Sequence, residues 1–265
     1  MKKLLSLMLV LRTVLAFPQV DFNTYFSDKT LRFDFILAGN NQKTYVYPAA
    51  MKEEPFWGGP VNKLTDPFGL GNFRYELYNL ADNKLIYQKG FSTLFQEWQT
   101  TTEAKTTEKS FYEVATMPFP KNKARFVLSI RERSGNFSKL FETIIDPNDY
   151  FISKEKSREV KTTRIHGNGD PHVSVDIAFI AEGYTANEMD KFREDVKNMA
   201  SVLLSEAPFS ASREKINIWA VEAVSQESGT DVPGKNIYAN TALNSSFYTF
   251  DLDRYLTTQD IKTVN

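Results

Sequence analysis

Along residues 30–145 the chain alternates apolar and polar positions with a period of two. Leu31, Phe33, Phe35 and Leu37 are interleaved with Arg32 and Asp34, and Phe73, Tyr75 and Leu77 with Arg74 and Glu76. Phe126, Leu128 and Ile130 alternate with Arg125 and Ser129 in the same way. A strand with one face on a core and the other in water needs this pattern. Residues 44–47, 84–88, 111–117 and 139–145 are further strand candidates. Ala81-Asp82-Asn83, Pro120-Lys121-Asn122 and Ser134-Gly135-Asn136 supply turn chemistry between them. Many short strands without a convincing helix predict an antiparallel β-sandwich. The Thr-, Glu- and Lys-rich stretch 97–109 reads as a solvated loop. Residues 153–164 (SKEKSREVKTTR) are charged and aperiodic, and read as a linker in which Glu155 and Glu159 offset the lysines.

After His172 the pattern changes. Residues 173–181 (VSVDIAFIA) form a nearly continuous apolar run, the signature of a strand buried on both faces. Thr185 with Glu188 makes a capping box that starts a helix. Met189, Phe192, Val196, Met199 and Leu203 then recur at helical spacing, and Ala207-Pro208 ends the run. Residues 216–224 (INIWAVEAV) are a second apolar strand. Strand, helix, strand predicts a parallel β-α-β unit. A short helix is expected near residues 251–256, with Asp251 and Asp253 at its acidic start. The fold class expected is therefore mixed β and α/β, an antiparallel sandwich followed by an incomplete α/β (β-α-β) domain. Its divisions are a leader over 1–16, the sandwich over 17–152, a linker over 153–164 and the α/β part over 165–265.

Composition narrows the function classes. With 32 Lys+Arg against 33 Asp+Glu there is no net field to attract nucleic acid. The absence of cysteine excludes disulfides, thiolate metal sites and cysteine nucleophiles. Lys2 and Lys3, the apolar run 4–11 and Val14-Leu15-Ala16 read as an export signal cleaved before Phe17. The expected location is outside the cytoplasm: secreted, periplasmic or on the cell surface. The apolar run is too short to span a bilayer, which takes about 20 residues, and no later segment approaches that length.

Candidate chemistry is sparse. The two histidines, His166 and His172, lie six apart in a Gly/Pro-containing loop with Asp170. They do not reproduce His-Glu-x-x-His, which puts two imidazoles on one helix face with a glutamate beside the metal-bound water. A polar loop is the better reading, and no metal or catalytic residue is assigned. No Gly-x-Ser-x-Gly elbow is present. Glu182 lies in Ala181-Glu182-Gly183-Tyr184-Thr185, between the carboxyl end of a parallel strand and the next helix. Crevices for ligands form there in open α/β sheets, although a loop carboxylate that bonds backbone amides is the plainer reading. Trp57, in Glu54-Pro55-Phe56-Trp57-Gly58-Gly59, is a possible ligand contact or a ring packed beneath its loop.

Residues 176–185 (DIAFIAEGYT), Ala207-Pro208-Phe209, 216–221 (INIWAV), 228–236 (SGTDVPGKN), 240–243 and Arg254-Tyr255-Leu256 together resemble the bacterial IgA-type zinc metallopeptidase family. Residues 54–59 (EPFWGG) and 92–100 (STLFQEWQT) resemble that family's N-terminal domain. The resemblance implies a secreted zinc endopeptidase acting on a protein or glycoprotein. It places the family's His-Glu-x-x-His downstream of the Arg-Tyr-Leu segment, so no catalytic or zinc-binding residue carries over to this chain. Gly183, Tyr184 and Thr185 match a family segment and are read as structural. The expectation is a truncated, inactive family member with no cofactor of its own. The alternative is a non-catalytic exported sandwich protein that binds a glycan or host protein.

Overall fold

The computed structural model describes residues 20–265, so the expected export signal lies outside the described residues. Asp21 opens the fold by capping a single helical turn, α1 (Phe22–Tyr25), its Oδ2 accepting from the Thr24 amide at 2.9 Å. Seven strands of seven or more residues and one of two residues follow. They are β1 (Phe26–Gly39), β2 (Thr44–Glu54), β3 (Phe73–Asn79), β4 (Leu85–Phe91), β5 (Lys109–Pro120), β6 (Ala124–Arg131), β7 (Phe137–Ile145) and β8 (Ile152–Ser153). They form two four-stranded sheets, ordered β5-β1-β2-β8 and β4-β3-β6-β7. All pairings are antiparallel except that of β2 with the two-residue β8.

The period-two pattern explains why these sheets stack. Leu31, Phe33, Phe35 and Leu37 of β1 point into one core with Phe73, Tyr75 and Leu77 of β3 and Phe126 and Leu128 of β6. Phe33 meets Phe126 across the sheets with ring centroids 4.7 Å apart. Each such fully buried ring or branched chain contributes roughly 1.5–3 kcal/mol, and the paired rings add a further increment.

Two expectations in this half are corrected. The stretch read as a solvated loop, 97–109, starts inside a helical turn, α2 (Leu94–Trp98), and contains a 3-10 turn over Glu103–Lys105. Trp98 and Ala104 from it are sealed in the core beside Phe95 of α2, and Trp98 Nε1 donates to Glu103 Oε2 at 2.8 Å. Its Thr- and Glu-rich composition reflects capping and indole pairing as well as solvation. Arg32 and Asp34, read as water-facing, are 7% and 5% exposed. The outer side of β1 is covered by the second half of the chain, and the two charges neutralise one another there.

That second half has its own core. Strands β9 (Thr162–His166), β10 (Val175–Ile180) and β11 (Ile216–Val221) form a sheet ordered β10-β11-β9, with β10 and β11 parallel and β9 antiparallel to β11. Thr162, Thr163 and Arg164, read as linker, therefore belong to a strand. Helix α3 (Met189–Ser205) links the parallel pair, and Phe192, Val196, Ala200 and Leu204 pack on Ile216, Ile218 and Ala220. The buried stripe of α3 runs one residue away from the expected one at its end. Ala200 and Leu204 are inside, Leu203 is partly covered, and Met199 is 58% exposed.

β10 is also corrected. It was expected to be buried on both faces, but it lies at the sheet edge with Val175 57% exposed. β11 is the central strand, because β9 returns to its other side. The remaining residues form a bonded loop with 3-10 turns over Pro233–Lys235 and Thr249–Asp251, then a last turn, α4 (Ile261–Val264). The helix expected near 251–256 is reduced to the turn Thr249–Asp251, which is interrupted at Phe250 by positive φ. Among the described residues, no helix is long and apolar enough to cross a membrane.

Candidate functional site

β10 ends at Ile180, and Ala181, fully buried, leads into the segment that sequence reasoning singled out. Glu182 turns back toward the loop over 240–245. Its Oε1 accepts from Thr241 Oγ1 at 2.6 Å and the Ser245 amide at 2.9 Å, while Oε2 accepts from the Leu243 amide at 2.8 Å. Burial pushes this carboxyl up, but the hydrogen bonds from Thr241, Ser245 and Leu243 outweigh it and hold it below the usual range. A carboxylate engaged at both oxygens is a clamp for a loop. The amides it binds lie some sixty residues away in sequence, which no local pattern could reveal.

Gly183 adopts φ +72° and donates its amide to Ser225 Oγ at 3.0 Å. A Cβ at this position would sit 1.9 Å from the Gly229 carbonyl, so only glycine allows the two loops to touch. The Tyr184 hydroxyl donates to Asp195 Oδ2 at 2.9 Å and its ring packs on Phe192, with centroids 5.2 Å apart. Burial and the Asp195 carboxylate both push the Tyr184 hydroxyl up. The Thr185 amide and hydroxyl both donate to Glu188 Oε2 at 2.8 Å, which completes the capping box before α3. Glu182 and Gly183 thus tie the end of β10 to the loops over 240–245 and 225–229, while the Tyr184 and Thr185 side chains fasten the segment to the start of α3.

Beyond this segment, at the carboxyl ends of β10 and β11, a crevice of about 1000 Å³ opens between the second half and the outer face of β1 and β2. Ile180, Val221 and Leu243 line it from one side and Arg32, Asp34 and Met51 from the other. Its floor is built from two neutralised charge clusters that sequence reasoning missed. Arg32 grips Asp34 with two bonds, Nε to Oδ1 at 2.7 Å and Nη2 to Oδ2 at 2.9 Å, and Nη2 also reaches the Lys262 carbonyl at 3.3 Å. The Tyr112 hydroxyl donates to Asp34 Oδ2 at 2.6 Å, and burial followed by that carboxylate pushes it up to about 12.

Glu222, just past β11, is 7% exposed. It pairs with Arg193 at 2.8 Å and Lys161 at 3.2 Å and accepts from Thr163 Oγ1 at 2.9 Å. Burial raises its carboxyl, but the bonds from Arg193, Thr163 and Lys161 hold it below the usual range. The available signals were opposite charges two apart on a strand, Arg32-Phe33-Asp34, and an acid ending an apolar run.

The other candidates are used elsewhere. Trp57 is 5% exposed, with Nε1 donating to the Pro60 carbonyl at 3.3 Å and its ring edge-on to Tyr87. It has no free face for a ligand. His166 Nε2 contacts the Arg213 carbonyl at 3.1 Å. His172 lies between Asp170, 3.1 Å from Nδ1, and Asp28, 3.4 Å from Nε2, with Phe56 beside its ring. A catalytic zinc ion takes about three protein ligands and an open position. Among the described residues no three His, Cys, Asp or Glu side chains converge in that way. The residues present do not fit the metal.

Comparison with known proteins accounts for both halves. A search of curated proteins gives no match. Residues 21–142 match the family model described as the peptidase M64 N-terminus, and residues 163–265 match the model described as IgA peptidase M64. The two models meet the chain in order, the first over the sandwich and the second from β9 onward, so the chain belongs to the IgA peptidase M64 family.

Proposed function

We propose that this chain is the scaffold and substrate-facing part of an exported zinc metallopeptidase of this family, and that it does not hydrolyse peptides by itself. The crevice at the carboxyl ends of β10 and β11 carries the reading. It lies where ligands enter open α/β sheets, and at about 1000 Å³ it is large enough for several residues of a polypeptide. Its walls mix apolar side chains such as Val221 and Leu243, charges paired internally such as Arg32, Asp34 and Glu222, and the open charges of Lys156 and Arg158. Such a surface suits an extended protein or glycoprotein segment better than a small charged metabolite. The engagement of both histidines supports the inactivity of these residues, since zinc hydrolysis needs metal ligands and an adjacent general base. The N-terminal signal pattern supports export.

The test uses the purified full chain, with metal analysis and a hydrolysis assay on immunoglobulin A and on casein in the presence of zinc. The expected result is substoichiometric zinc and no chelator-sensitive cleavage, unchanged by His166→Ala with His172→Ala. Stoichiometric zinc accompanied by chelator-sensitive proteolysis would overturn the reading. The sandwich-only reading, in which Trp57 anchors a glycan, has no observation in its favour because that ring is enclosed.

A further inference from the structure

The segment between β8 and β9 is an irregular connection that is exposed along its whole length. Its ends are held: Ile152 pairs with Met51, and Thr162 pairs with Val221. Between them residues 154–161 have no regular structure, and every one of them is exposed. Among the described residues, the peptide groups of 156–160 make no hydrogen bond to other backbone. Within 156–160 the one attachment among the described residues is Ser157, whose hydroxyl contacts Glu54 at 3.2 Å and the Lys52 ammonium, and at the far end Lys161 is held by Glu222.

Three basic side chains occupy alternating positions here. Lys154, Lys156 and Arg158 have no ion pair, hydrogen bond or ring contact among the described residues. Several other exposed basic residues sit in bonded turns, and Lys63, in the irregular stretch before β3, abuts Leu64, which is buried and whose carbonyl accepts from the Gln88 amide at 2.8 Å. Arg133 lies in the β6–β7 hairpin, closed by Gly135 N to Glu132 O at 2.9 Å, while Lys105 and Lys235 are in 3-10 turns. An endopeptidase reads its substrate as an extended strand with a free side chain at the cleaved position. A bonded turn must first open, at a free-energy cost, whereas a segment that is already extended and unbonded does not.

We propose that residues 154–161 are a processing site for a Lys/Arg-specific endopeptidase, which separates the sandwich from the α/β half. The reaction is hydrolysis of one peptide bond. Water adds across the C–N bond after Lys154, Lys156 or Arg158, leaving a carboxylate on that residue and an amine on Glu155, Ser157 or Glu159. The same segment walls the crevice through Glu155, Ser157 and Lys161, so the cut frees that wall at one point.

The experiment is brief digestion of the full chain with trypsin at low enzyme ratio, followed by intact-mass analysis. A parallel digestion uses a Glu-specific endopeptidase, for which Glu155 and Glu159 are in the same segment. The expected first products are a fragment ending at Lys154, Lys156 or Arg158 and its complement, with the Glu-specific enzyme also cutting within 154–161. The variant K154Q/K156Q/R158Q, altered only at exposed and unpaired side chains, should lose the tryptic pair. It should keep the Glu-specific one and an unchanged circular dichroism spectrum. First tryptic cuts elsewhere, or unaltered products from the triple variant, would overturn the proposal. So would resistance of this segment to both enzymes.

Discussion

Replacing Glu182 by alanine removes the acceptor for Thr241 and for the amides of Leu243 and Ser245 at once. Leu243 and Ser245 are 8% and 6% exposed, so water does not freely reach the orphaned donors while the loop stays docked. A buried unsatisfied donor costs about 1–3 kcal/mol, and bonds to a charged acceptor are toward the stronger end. Two amides and one hydroxyl give an upper bound of about 3–9 kcal/mol, most of which is recovered where the loop opens and rehydrates. The expected outcome is therefore local release of residues 240–245 rather than global unfolding, given the roughly 5–15 kcal/mol stability of a folded domain. Hydrogen exchange resolved to single amides measures it. A loss of about 3 kcal/mol corresponds to roughly a hundredfold faster exchange at Leu243 and Ser245, while Ile218 of β11 stays protected. Glu182→Gln keeps one acceptor oxygen but turns an amino group toward a donor, so it should fall between wild type and alanine. The folded carboxyl is held below its unfolded value. Its contribution is present above the unfolded pKa and fades as pH falls through the folded one, so acid should mimic the substitution. Unchanged exchange at Leu243 and Ser245 in Glu182→Ala would refute the clamp.

Two further outcomes follow from the same physical reasoning. Glu113, on β5 opposite Phe35, is raised by burial from 4.5 to about 7. The unfolded chain loses this proton first, so stability should fall as pH rises from about 4.5 to about 7 and level off above. At 1.36 kcal/mol per pKa unit the fall is at most about 3 kcal/mol, and denaturant titrations of Glu113→Gln should show a correspondingly flatter pH profile. Gly183→Ala sets a Cβ 1.9 Å from the Gly229 carbonyl at φ +72°. It should lower the thermal midpoint through a loss of roughly 2–4 kcal/mol of strain and displaced packing; an unchanged midpoint would contradict the close approach.

The alternation of residues such as Phe33, Arg32 and Asp34 determined the sandwich, because a period of two has one solution for placing large rings away from water. The Thr185–Glu188 box and the stripe after it determined α3, because both are written within a few turns of chain. The family segments near Gly183 and Trp57 determined the parentage. None of these signals carries long-range information. Whether the polar face of β1 meets water or another layer depends on what the chain brings back more than two hundred residues later. Only the fold therefore shows that Arg32 and Asp34 are buried as a pair beside Lys262. The exposure of β10 was hidden for a related reason: apolar content does not say which of two parallel strands becomes the edge, and β9 decides it by pairing with β11. The role of Glu182 likewise required the approach of the loop over 240–245, since a carboxylate acquires its function from the donors that tertiary contacts place around it.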